Sequence, residues 1–444
     1  MNEILIPSIK VPVLAECDVL VCGAGPAGCA AAISAARSGL KTILIERWSF
    51  PGGMGTAGLL SQFHTSDREK QVIFGIMQEL IERGLKKGYC RQYEHFPAQH
   101  ETHEFDIEGL KVLYEEMLCE AGVTLFYTLV TGDVIAEEDK LKAVLCDTKT
   151  GRKAITAKIF IDATGDGDIA AKAGVPFDFG RDEDGLVQGM TLIYKLMDID
   201  KKKALAITKE EHEKIVNTMR DMTKKGIFPP FGPVSFHYYA RGGHPNMCPV
   251  TGNPLDESSL TKCNIKARKQ MEAYVDFFRK NVPGFENVKI ATSAPSLGIR
   301  ESRRIKGIKT LTREDVIECR EQDDAVGHGF WMIDIHDPKG TGRTTWEQKL
   351  GQLPAGKSYH IPYRMMVPIK FSNLLVAGRC ASSTHEAHAS VRVMSHCLVM
   401  GQGAGTAAGI ALDENVNIKD IDIAILQKRL KDSGVYITYN ETKR

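Results

Sequence analysis

The sequence lacks the cysteine pattern of a disulfide framework, a zinc site or a disulfide reductase. It has eleven cysteines, an odd number, and no two of them form a C-x-x-C pair. Disulfide frameworks need paired cysteines, and structural zinc sites need closely spaced ligands. Scattered thiols of this kind are typical of proteins in a reducing cytoplasm.

The sequence also lacks a charge excess and long apolar runs. Its 57 basic and 56 acidic side chains give a formal net charge of +1, which provides no field to attract nucleic acid or an anionic membrane. No apolar run reaches the roughly 18 residues needed to span a bilayer, and the first residues do not resemble a signal peptide. We therefore expect a soluble, cytoplasmic protein without nucleic-acid or membrane partners. A homo-oligomer is compatible with this composition.

The sequence does contain a nucleotide-binding pattern near its start. A short apolar run over 19–22 leads into a G-x-G-x-x-G loop, which is followed by an alanine-rich segment and a second apolar run. In this pattern the first glycine makes a tight turn, the second lets a pyrophosphate approach, and the third lets helix and strand pack closely. The start of the helix offers free N–H groups to the phosphates. The predicted contacts are Gly23, Gly25, Pro26, Ala27 and Gly28.

The second apolar run ends at Glu46 and is followed by a glycine-rich segment over 47–58. An acidic residue at this position can bind both hydroxyls of an adenosine ribose, whereas it would repel the extra phosphate of NADP. The glycine-rich segment is either a flexible loop or a backbone that passes close to a flat ligand. Its place directly after the ribose-binding strand favours the second interpretation.

Hydrophobic periodicity predicts how this unit is completed. A strand over 159–162 ends at Ala163, Thr164 and Gly165, small residues that would let the chain cross the adenosine side of a cofactor without a clash. A small antiparallel sheet precedes this strand, and a late strand is predicted over 374–379. Helices are predicted over 67–88, 105–121, 201–225, 261–280 and 394–412, and 380–392 is predicted to be a polar loop.

The last of these helices has an unusual glycine pattern. Gly401, Gly405 and Gly409 recur every four residues, so they share one face. Each glycine costs a helix roughly 1 kcal/mol relative to alanine, so the stripe predicts close approach of a neighbour. The first helix offers a matching face of small residues, Ala27, Ala31 and Ala35.

Together these elements predict an α/β fold. A Rossmann-like nucleotide-binding domain would contain a parallel sheet, helices and a small antiparallel sheet. The middle of the chain has charged helices and proline-rich turns, which favour an inserted α+β substrate or cap domain. The predicted bounds are 1–180 for the first part of the nucleotide-binding domain, 181–355 for the cap, and 356–444 for the final part.

Three histidines lie between the helices predicted over 67–88 and 105–121: His95, His100 and His103. Glu101 and Glu104 lie beside them. Their spacing matches no tight metal-ligand pattern. A solvated loop explains them better, and no metal site is predicted.

Several longer blocks support a specific resemblance: GAGPAG with Glu46, PGGMGTAG, IDATGDGD, LGIRESRRIKG with LTREDV, and NLLVAGRCASSTHEAHASVRVM. On these blocks the chain resembles the FAD-dependent oxidoreductase family related to the succinate dehydrogenase and fumarate reductase flavoproteins, within the glutathione-reductase-like fold. The resemblance implies a Rossmann-like FAD-binding domain with FAD lying across the parallel sheet.

The resemblance also implies contacts along the whole cofactor. One departure is Arg379, because many relatives have an acidic residue there that binds the ribityl hydroxyls. The helix start at Arg392 would stabilise negative charge on the reduced ring. The implied contacts are Gly23, Gly25, Pro26, Ala27, Gly28, Glu46, Arg47, Val130, Ala163, Thr164 and Gly165 for the nucleotide part, Gly378 and Arg379 for the ribityl chain, and Gly53, Met54, Gly55, Arg392, Val393 and Met394 for the isoalloxazine.

We therefore expect an FAD-dependent oxidoreductase that moves a hydride between flavin N5 and a small oxygen-rich or anionic organic substrate. The flavin would supply the redox chemistry, while the protein orients the substrate and supplies charge and protons. Arg300 and Arg392 would form a positive site for a carboxylate or carbonyl. Alternatively, Arg300 pairs with Glu301 or another acid and only holds the domains together. His64 and His385 are further catalytic candidates. FAD should bind without a covalent bond, because the sequence has no clear attachment motif and His64 is the only candidate, a weak one.

Two other functions remain open from the sequence. The glycine-rich start also resembles the flavin-dependent tRNA-modifying proteins, but those need a basic RNA-binding face, which the net charge of +1 does not favour. A flavoprotein scaffold without redox activity is the third alternative.

Overall fold

The computed structural model describes residues 8–92, 101–231, 234–340 and 351–439. The strands in these ranges are β1 Val13–Cys22, β2 Thr42–Glu46, β3 Gln62–His64, β4 Cys90–Gln92, β5 Thr102–Phe105, β6 Thr124–Tyr127, β7 Val130–Glu137, β8 Lys140–Thr148, β9 Gly151–Asp162, β10 Phe177–Phe179, β11 Met190–Met197, β12 Asn246–Val250, β13 Lys289–Ser293, β14 Arg303–Ile305, β15 Ala325–Gly329, β16 Tyr359–Pro362 and β17 Leu374–Val376. The helices are α1 Pro26–Arg37, α2 Ile76–Lys87, α3 Ile107–Glu120, α4 Asp168–Lys172, α5 Lys201–Leu205, α6 Lys209–Lys224, α7 Phe236–Ala240, α8 Glu257–Asn281, α9 Arg313–Ile317, α10 His385–Val391, α11 Met394–Asp413 and α12 Ile423–Asp432.

A parallel sheet organises the nucleotide-binding part of the molecule. Parallel pairing runs from β6 through β2, β1 and β9 to β17, and the antiparallel strands β7 and β8 continue from the first half of β9. The apolar side chains of 19–22 are fully buried, as expected for a strand covered on both faces. This arrangement confirms the predicted α/β fold. Because parallel strands point the same way, the segments that follow β1, β2, β9 and β17 meet at one edge.

Helices α1 and α11 pack closely on one face of this sheet, as the glycine stripe predicts. A Cβ atom added to Gly401 would lie 2.0 Å from the Ala27 carbonyl oxygen, and one added to Gly405 would lie 2.3 Å from the Ala31 oxygen. Residues 394–411 of α11 are buried on every side. The prediction is confirmed, since only glycine permits this separation of the two backbones.

A second hydrophobic cluster lies around the sheet β12-β11-β13 and helices α6 and α8. Its buried aromatic residues include Phe236, Phe278 and Phe285, with ring centroids 5.7–5.9 Å apart. Most of the cluster comes from 190–297, whereas buried apolar residues between 305 and 353 pack into the cluster around the main sheet. The domain bounds at 180 and 355 stay predictions. The two clusters show which buried side chains contact each other, and such contacts do not define where one domain ends and the next begins.

Three predicted helices differ from the structure at their starts or within their length. The helix predicted over 261–280 begins four residues earlier, at Glu257, where Asp256 caps its start. The helix predicted from residue 67 begins only at Ile76, because Gly75 adopts φ +63° and cannot continue a helix backward. The helix predicted over 201–225 is split into α5 and α6. Thr208 begins the second one through a reciprocal capping box with Glu211.

Two segments predicted as loops contain regular structure. Residues 380–392 include α10, whose start is capped by the Thr384 hydroxyl accepting from the Ala387 N–H, so the polar-loop prediction is wrong there. His103 and Glu104 lie buried in β5 rather than in a solvated loop. His95 and His100 lie outside the described residues. Within the described part of the chain, no helix is both long enough and apolar enough to cross a membrane.

Candidate functional site

The glycine loop after β1 forms a tight turn against the end of β9. Gly23 adopts φ +95°, and an added Cβ would lie 2.7 Å from the Ala163 carbonyl oxygen; one added to Gly28 would lie 1.8 Å from the Gly23 oxygen. Gly25 differs, since no atom lies within 4 Å of its Cβ position. Gly25 also precedes Pro26 as the N-cap of α1, with no side-chain cap hydrogen bond. The backbone at Gly25 is therefore open on its Cβ side, which suits the close approach of a phosphate to a helix start.

Glu46 lies at the end of β2 beside this turn. Its Oε2 accepts from the Ala24 N–H at 2.7 Å and its Oε1 accepts from the Trp48 N–H at 3.0 Å. The Leu129 N–H donates to the Glu46 carbonyl oxygen at 3.1 Å, which brings Val130 next to the same strand end. Arg47 is exposed, with its guanidinium 5.3 Å from the Trp48 ring centroid. The predicted nucleotide contacts thus lie along one edge.

The loop after β9 is fixed by a fully buried carboxylate that the sequence analysis did not single out. Asp162 accepts from the Thr164 N–H and hydroxyl through Oδ1, at 3.1 and 2.7 Å, and from the Ala170 N–H through Oδ2 at 2.9 Å. Burial raises the pKa of Asp162 to about 6, and the hydrogen bonds oppose that rise. The carboxylate thus fixes the backbone and side chain of Thr164, next to Gly165.

Arg379 pairs with an acid from the same loop. Its Nη2 donates to Asp166 Oδ1 at 2.7 Å and its Nη1 donates to the Ser302 hydroxyl at 2.7 Å. The Ser302 hydroxyl donates to Asp166 Oδ1, also at 2.7 Å. Burial opposes ionisation of Asp166, but the charge of Arg379 and these hydrogen bonds outweigh it and lower its pKa. The acidic group missing from the late strand is therefore present nearby, supplied by the β9 loop.

Beyond the glycine turn, the second glycine-rich segment meets the start of α11. A Cβ on Gly55 would lie 3.6 Å from the Met394 sulfur, and a Cβ on Gly298 would lie 3.1 Å from Met54 Cε. A Cβ on Gly53 would lie 2.8 Å from Gly25 Cα, so this segment packs on the glycine turn that follows β1. The late strand contributes the Gly378 turn at φ +90°, and Val393 is the N-cap of α11.

Arg300 and Arg392, which are 92 positions apart in the printed sequence, converge on one short segment. Arg300 Nη1 donates to the Gly189 carbonyl at 2.7 Å and to the Thr191 hydroxyl at 2.5 Å. Arg392 Nη2 donates to the Asp334 carbonyl at 3.1 Å and to Gln188 Oε1 at 3.5 Å. Two guanidinium groups are thus concentrated around residues 188–191, next to Gly298 and Met54.

His336 and Asp334 lie between these arginines. His336 Nε2 is 3.5 Å from Asp334 Oδ2, and the Gly189 N–H donates to the His336 carbonyl at 3.2 Å. Burial and the nearby Arg300 charge lower the pKa of His336 to about 4, against the opposing effect of Asp334. The imidazole is therefore neutral at pH 7.

The two histidines predicted to be catalytic are placed differently. His385 is buried in α10, and its Nδ1 is 2.9 Å from Oε1 of the buried Glu301, which also forms an ion pair with Arg304. Glu301 therefore pairs with Arg304 and His385 rather than with Arg300. His64 Nδ1 lies 2.8 Å from the Thr102 hydroxyl, and its ring stacks on Trp331 at 4.4 Å. Catalytic roles for both histidines stay predictions.

Gln188, Asp334 and His336 could not be predicted from the sequence, because no motif marks them. Each lies outside the recognisable blocks, and only the folding of 188–191 against Arg300 and Arg392 brings them together. A weak signal was present, since His336 and Asp334 alternate with apolar residues in WMIDIHD.

Comparison with known proteins agrees with this architecture. The family model described as FAD dependent oxidoreductase matches residues 18–430. The chain belongs to the FAD-dependent oxidoreductase family. FAD is accordingly its cofactor, and the protein is an enzyme. The finer relationship to succinate dehydrogenase and fumarate reductase flavoproteins is not shown by this match and stays a prediction.

Similarity to individual curated proteins is local. Sarcosine oxidase subunit alpha of Rhizobium meliloti is 51% identical over 53 residues, which are 12% of this chain and 5% of that protein. Thiamine thiazole synthase of Archaeoglobus fulgidus is 48% identical over 66 residues, 14% of this chain and 25% of that protein. The enzyme of the same name from Methanococcus maripaludis is 28% identical over 159 residues, 34% of this chain. This flavoprotein thus spans at most 56% of these three relatives.

Among solved structures, a geranylgeranyl bacteriochlorophyll reductase-like protein of Thermoplasma acidophilum has a TM-score of 0.44 and 13% identity, covering 94% of this chain and 83% of that one. The anhydrotetracycline hydroxylase OxyS of Streptomyces rimosus has a TM-score of 0.46 and 12% identity, covering 94% of this chain and 65% of that one.

Proposed function

We propose that FAD lies across the carboxyl edge of the parallel sheet. Its pyrophosphate would bind at Gly25 and the start of α1, where the Cβ position is open and the helix has no side-chain cap. Its adenosine would lie along Glu46, Val130 and Ala163. The remaining residues proposed to hold FAD, from the nucleotide to the ring, are Gly23, Pro26, Ala27, Gly28, Arg47, Thr164, Gly165, Gly378, Arg379, Gly53, Met54, Gly55, Arg392, Val393 and Met394.

We further propose that the enzyme transfers a hydride between flavin N5 and a small oxygen-rich or anionic substrate. Bound FAD supplies the two-electron redox chemistry. The observation that carries the substrate class is the convergence of Arg300 and Arg392 on residues 188–191. Charged donors held in a largely buried site bind a carboxylate more strongly than exposed ones do, because water screens them less.

His336 would accept the proton that the substrate releases in this reaction. When a substrate hydroxyl is oxidised to a carbonyl, its carbon loses a hydride and its oxygen loses a proton. The His336 imidazole is neutral at pH 7, because its pKa is lowered to about 4, so it has a nitrogen lone pair for that proton. This low pKa also makes it a weak base, and its strength would depend on Asp334. Asp334, 3.5 Å from His336 Nε2, would orient the ring and stabilise it once protonated. His64 and His385 remain the other proposed catalytic side chains.

An anaerobic reduction assay tests this function. The purified FAD-loaded protein is mixed with small 2-hydroxy acids, amino acids and uncharged alcohols, and the visible absorbance of the flavin is followed. We expect at least one carboxylate-bearing compound to bleach the flavin, and uncharged alcohols of the same size to leave it oxidised. Reduction by uncharged alcohols alone would contradict the anionic class.

The second candidate function, flavin-dependent tRNA modification, is tested by filter binding of total tRNA at two salt concentrations. An RNA-binding protein would show affinity that falls steeply with salt. Tight, salt-dependent binding together with no reduction by any small molecule would favour this candidate over the oxidoreductase proposed here.

Glu46 provides a test of the cofactor assignment. Replacing Glu46 by alanine should weaken FAD binding by about 1.5–3 kcal/mol, the range for a hydrogen bond to a charged group. Calorimetric titration of FAD into the apo-protein measures it. Asp18 is a matched control, because its Oδ2 accepts from the Lys41 N–H at 2.9 Å, at the far edge of the same sheet. Asp18→Ala should lower stability without changing FAD affinity. Unchanged affinity in Glu46→Ala would contradict the ribose assignment.

A further inference from the structure

The side chain of Gln188 has an unusual environment beside the two arginines. The residue is 1% exposed, and its backbone N–H donates to Oε2 of the buried Glu301 at 3.0 Å. Its Oε1 accepts from Arg392 Nη2 at 3.5 Å. Its Nε2 is buried and has no hydrogen-bond partner among the described residues. Native proteins rarely leave a buried amide donor unpaired, because this costs about 1–3 kcal/mol.

The orientation of this amide is fixed by its neighbour. A guanidinium can only donate hydrogen bonds, so the oxygen of the Gln188 amide must face Arg392. The NH₂ group then faces away from Arg392 as an additional donor. A donor that stays unpaired in a buried, positively charged site is explained if a ligand supplies the acceptor.

The location of Gln188 connects it to the proposed isoalloxazine site. It is adjacent to Gly189, whose carbonyl accepts from Arg300 at 2.7 Å. Thr191 of the same segment exchanges backbone hydrogen bonds with Gly298, at 2.8 and 3.2 Å. Gly298 in turn faces Met54, with its Cβ position 3.1 Å from Met54 Cε. The unpaired donor thus belongs to a segment that is linked through Gly298 to Met54 of the proposed isoalloxazine site.

We propose that Gln188 is a specificity-determining residue, whose Nε2 donates to a carboxylate oxygen of the substrate bound by Arg300 and Arg392. This inference rests on the proposed function, and it adds Gln188 as a third hydrogen-bond donor beside Arg300 and Arg392. Planar amide and guanidinium donors match the two coplanar acceptor oxygens of a carboxylate. The two guanidinium groups and the amide outnumber the one carboxylate between them, that of Asp334, which lies 3.9 Å from Arg392. This excess of donors selects against ligands that offer an ammonium group or only N–H donors at this position. Gln188 thus selects a carboxylate by pairing an otherwise unsatisfied amide.

Oxalate and acetate serve as probes, titrated by calorimetry into the FAD-loaded protein. We expect both to bind the wild type, and Gln188→Leu to weaken oxalate binding about 10-fold through loss of one charge-assisted hydrogen bond. Gln188→Glu keeps the shape but should abolish binding, because its carboxylate repels the probe and occupies Arg392. Gln270 is the matched control, since it also has an unpaired buried amide atom but lies on α8. Gln270→Leu should bind oxalate as the wild type does.

The outcomes separate this inference from the proposed function. Wild-type oxalate affinity in Gln188→Leu overturns the role of Gln188 and leaves the arginine site intact. A fall in FAD affinity with unchanged oxalate affinity also overturns it, because the donor would then serve the flavin. If neither probe binds the wild type, the anionic substrate class itself fails. Should Gln188→Leu not fold, Gln188→Met, which keeps the chain length, gives the same comparison.

Discussion

Replacing Gly405 by leucine is expected to prevent folding or leave a protein that cannot retain FAD. A single Cβ at this position would already lie 2.3 Å from the Ala31 carbonyl oxygen and 2.8 Å from Ser34 Cβ. Neither contact can be relieved by a small local shift. The Ala31 oxygen is part of the backbone of α1, and the Ser34 side chain forms a 2.8 Å hydrogen bond with Thr406. The leucine must therefore separate α1 from α11.

The effect should exceed that of ordinary overpacking. Extra methylene groups in a core usually cost about 1–3 kcal/mol when side chains can shift. Here the clash is with backbone, so we expect a loss above about 4 kcal/mol, a magnitude seen only for severe core damage. Separation of α1 would also displace its N-terminus, which is the proposed phosphate site.

Thermal unfolding and the FAD content of the purified protein measure this effect. Glu414→Leu is the control, because it adds leucine at the exposed C-cap of the same helix. We expect the control to keep the wild-type melting temperature and a full complement of FAD. A Gly405→Leu protein that melts like the wild type would mean that the two helices do not approach as closely as the structure shows.

The parts of the fold that the sequence predicts are those encoded by local, periodic patterns. The glycine turn at Gly23 and the helix stripe at Gly401 and Gly405 could be predicted because each glycine is required by a backbone contact. The limits of helices were less predictable. Whether a helix starts at residue 67 or at Ile76 depends on the conformation of Gly75 at φ +63°, and tertiary contacts such as the Ile76 N–H donating to Gln402 fix that conformation.

Candidate site residues were predictable only where a motif carries them. Arg300 and Arg392 lie in distinctive blocks, so the resemblance could single them out. Gln188, Asp334 and His336 could not be found in this way, because hydrogen bonds between distant segments create their environment. His385 lies in an equally distinctive block, but its Nδ1 is 2.9 Å from buried Glu301, a contact that the motif does not reveal, and its catalytic role stays a prediction. A motif therefore identifies a region of the chain but not which of its polar side chains face a ligand.

Removing Arg300 and Arg392 together is expected to produce the largest loss of anion binding. A hydrogen bond to a charged group contributes about 1.5–3 kcal/mol, so each alanine variant should weaken oxalate binding roughly 10- to 150-fold. Lysine at position 300 keeps the charge but loses the planar fork that reaches Gly189 and Thr191. Its affinity should therefore fall between those of the wild type and Arg300→Ala.

A double-mutant cycle separates binding from a purely structural role for Arg300. If both guanidinium groups contact one carboxylate, removing the first weakens the contact of the second, and the two effects differ from additivity by about 0.5–3 kcal/mol. Arg279→Ala is the control, because Arg279 also donates to a backbone carbonyl of the cap, that of Val288 at 2.9 Å. The control should lower the melting temperature and leave oxalate affinity unchanged. If Arg300→Ala behaves like this control, Arg300 only fastens the segment 188–191, and the anionic site must be built from Arg392 without it.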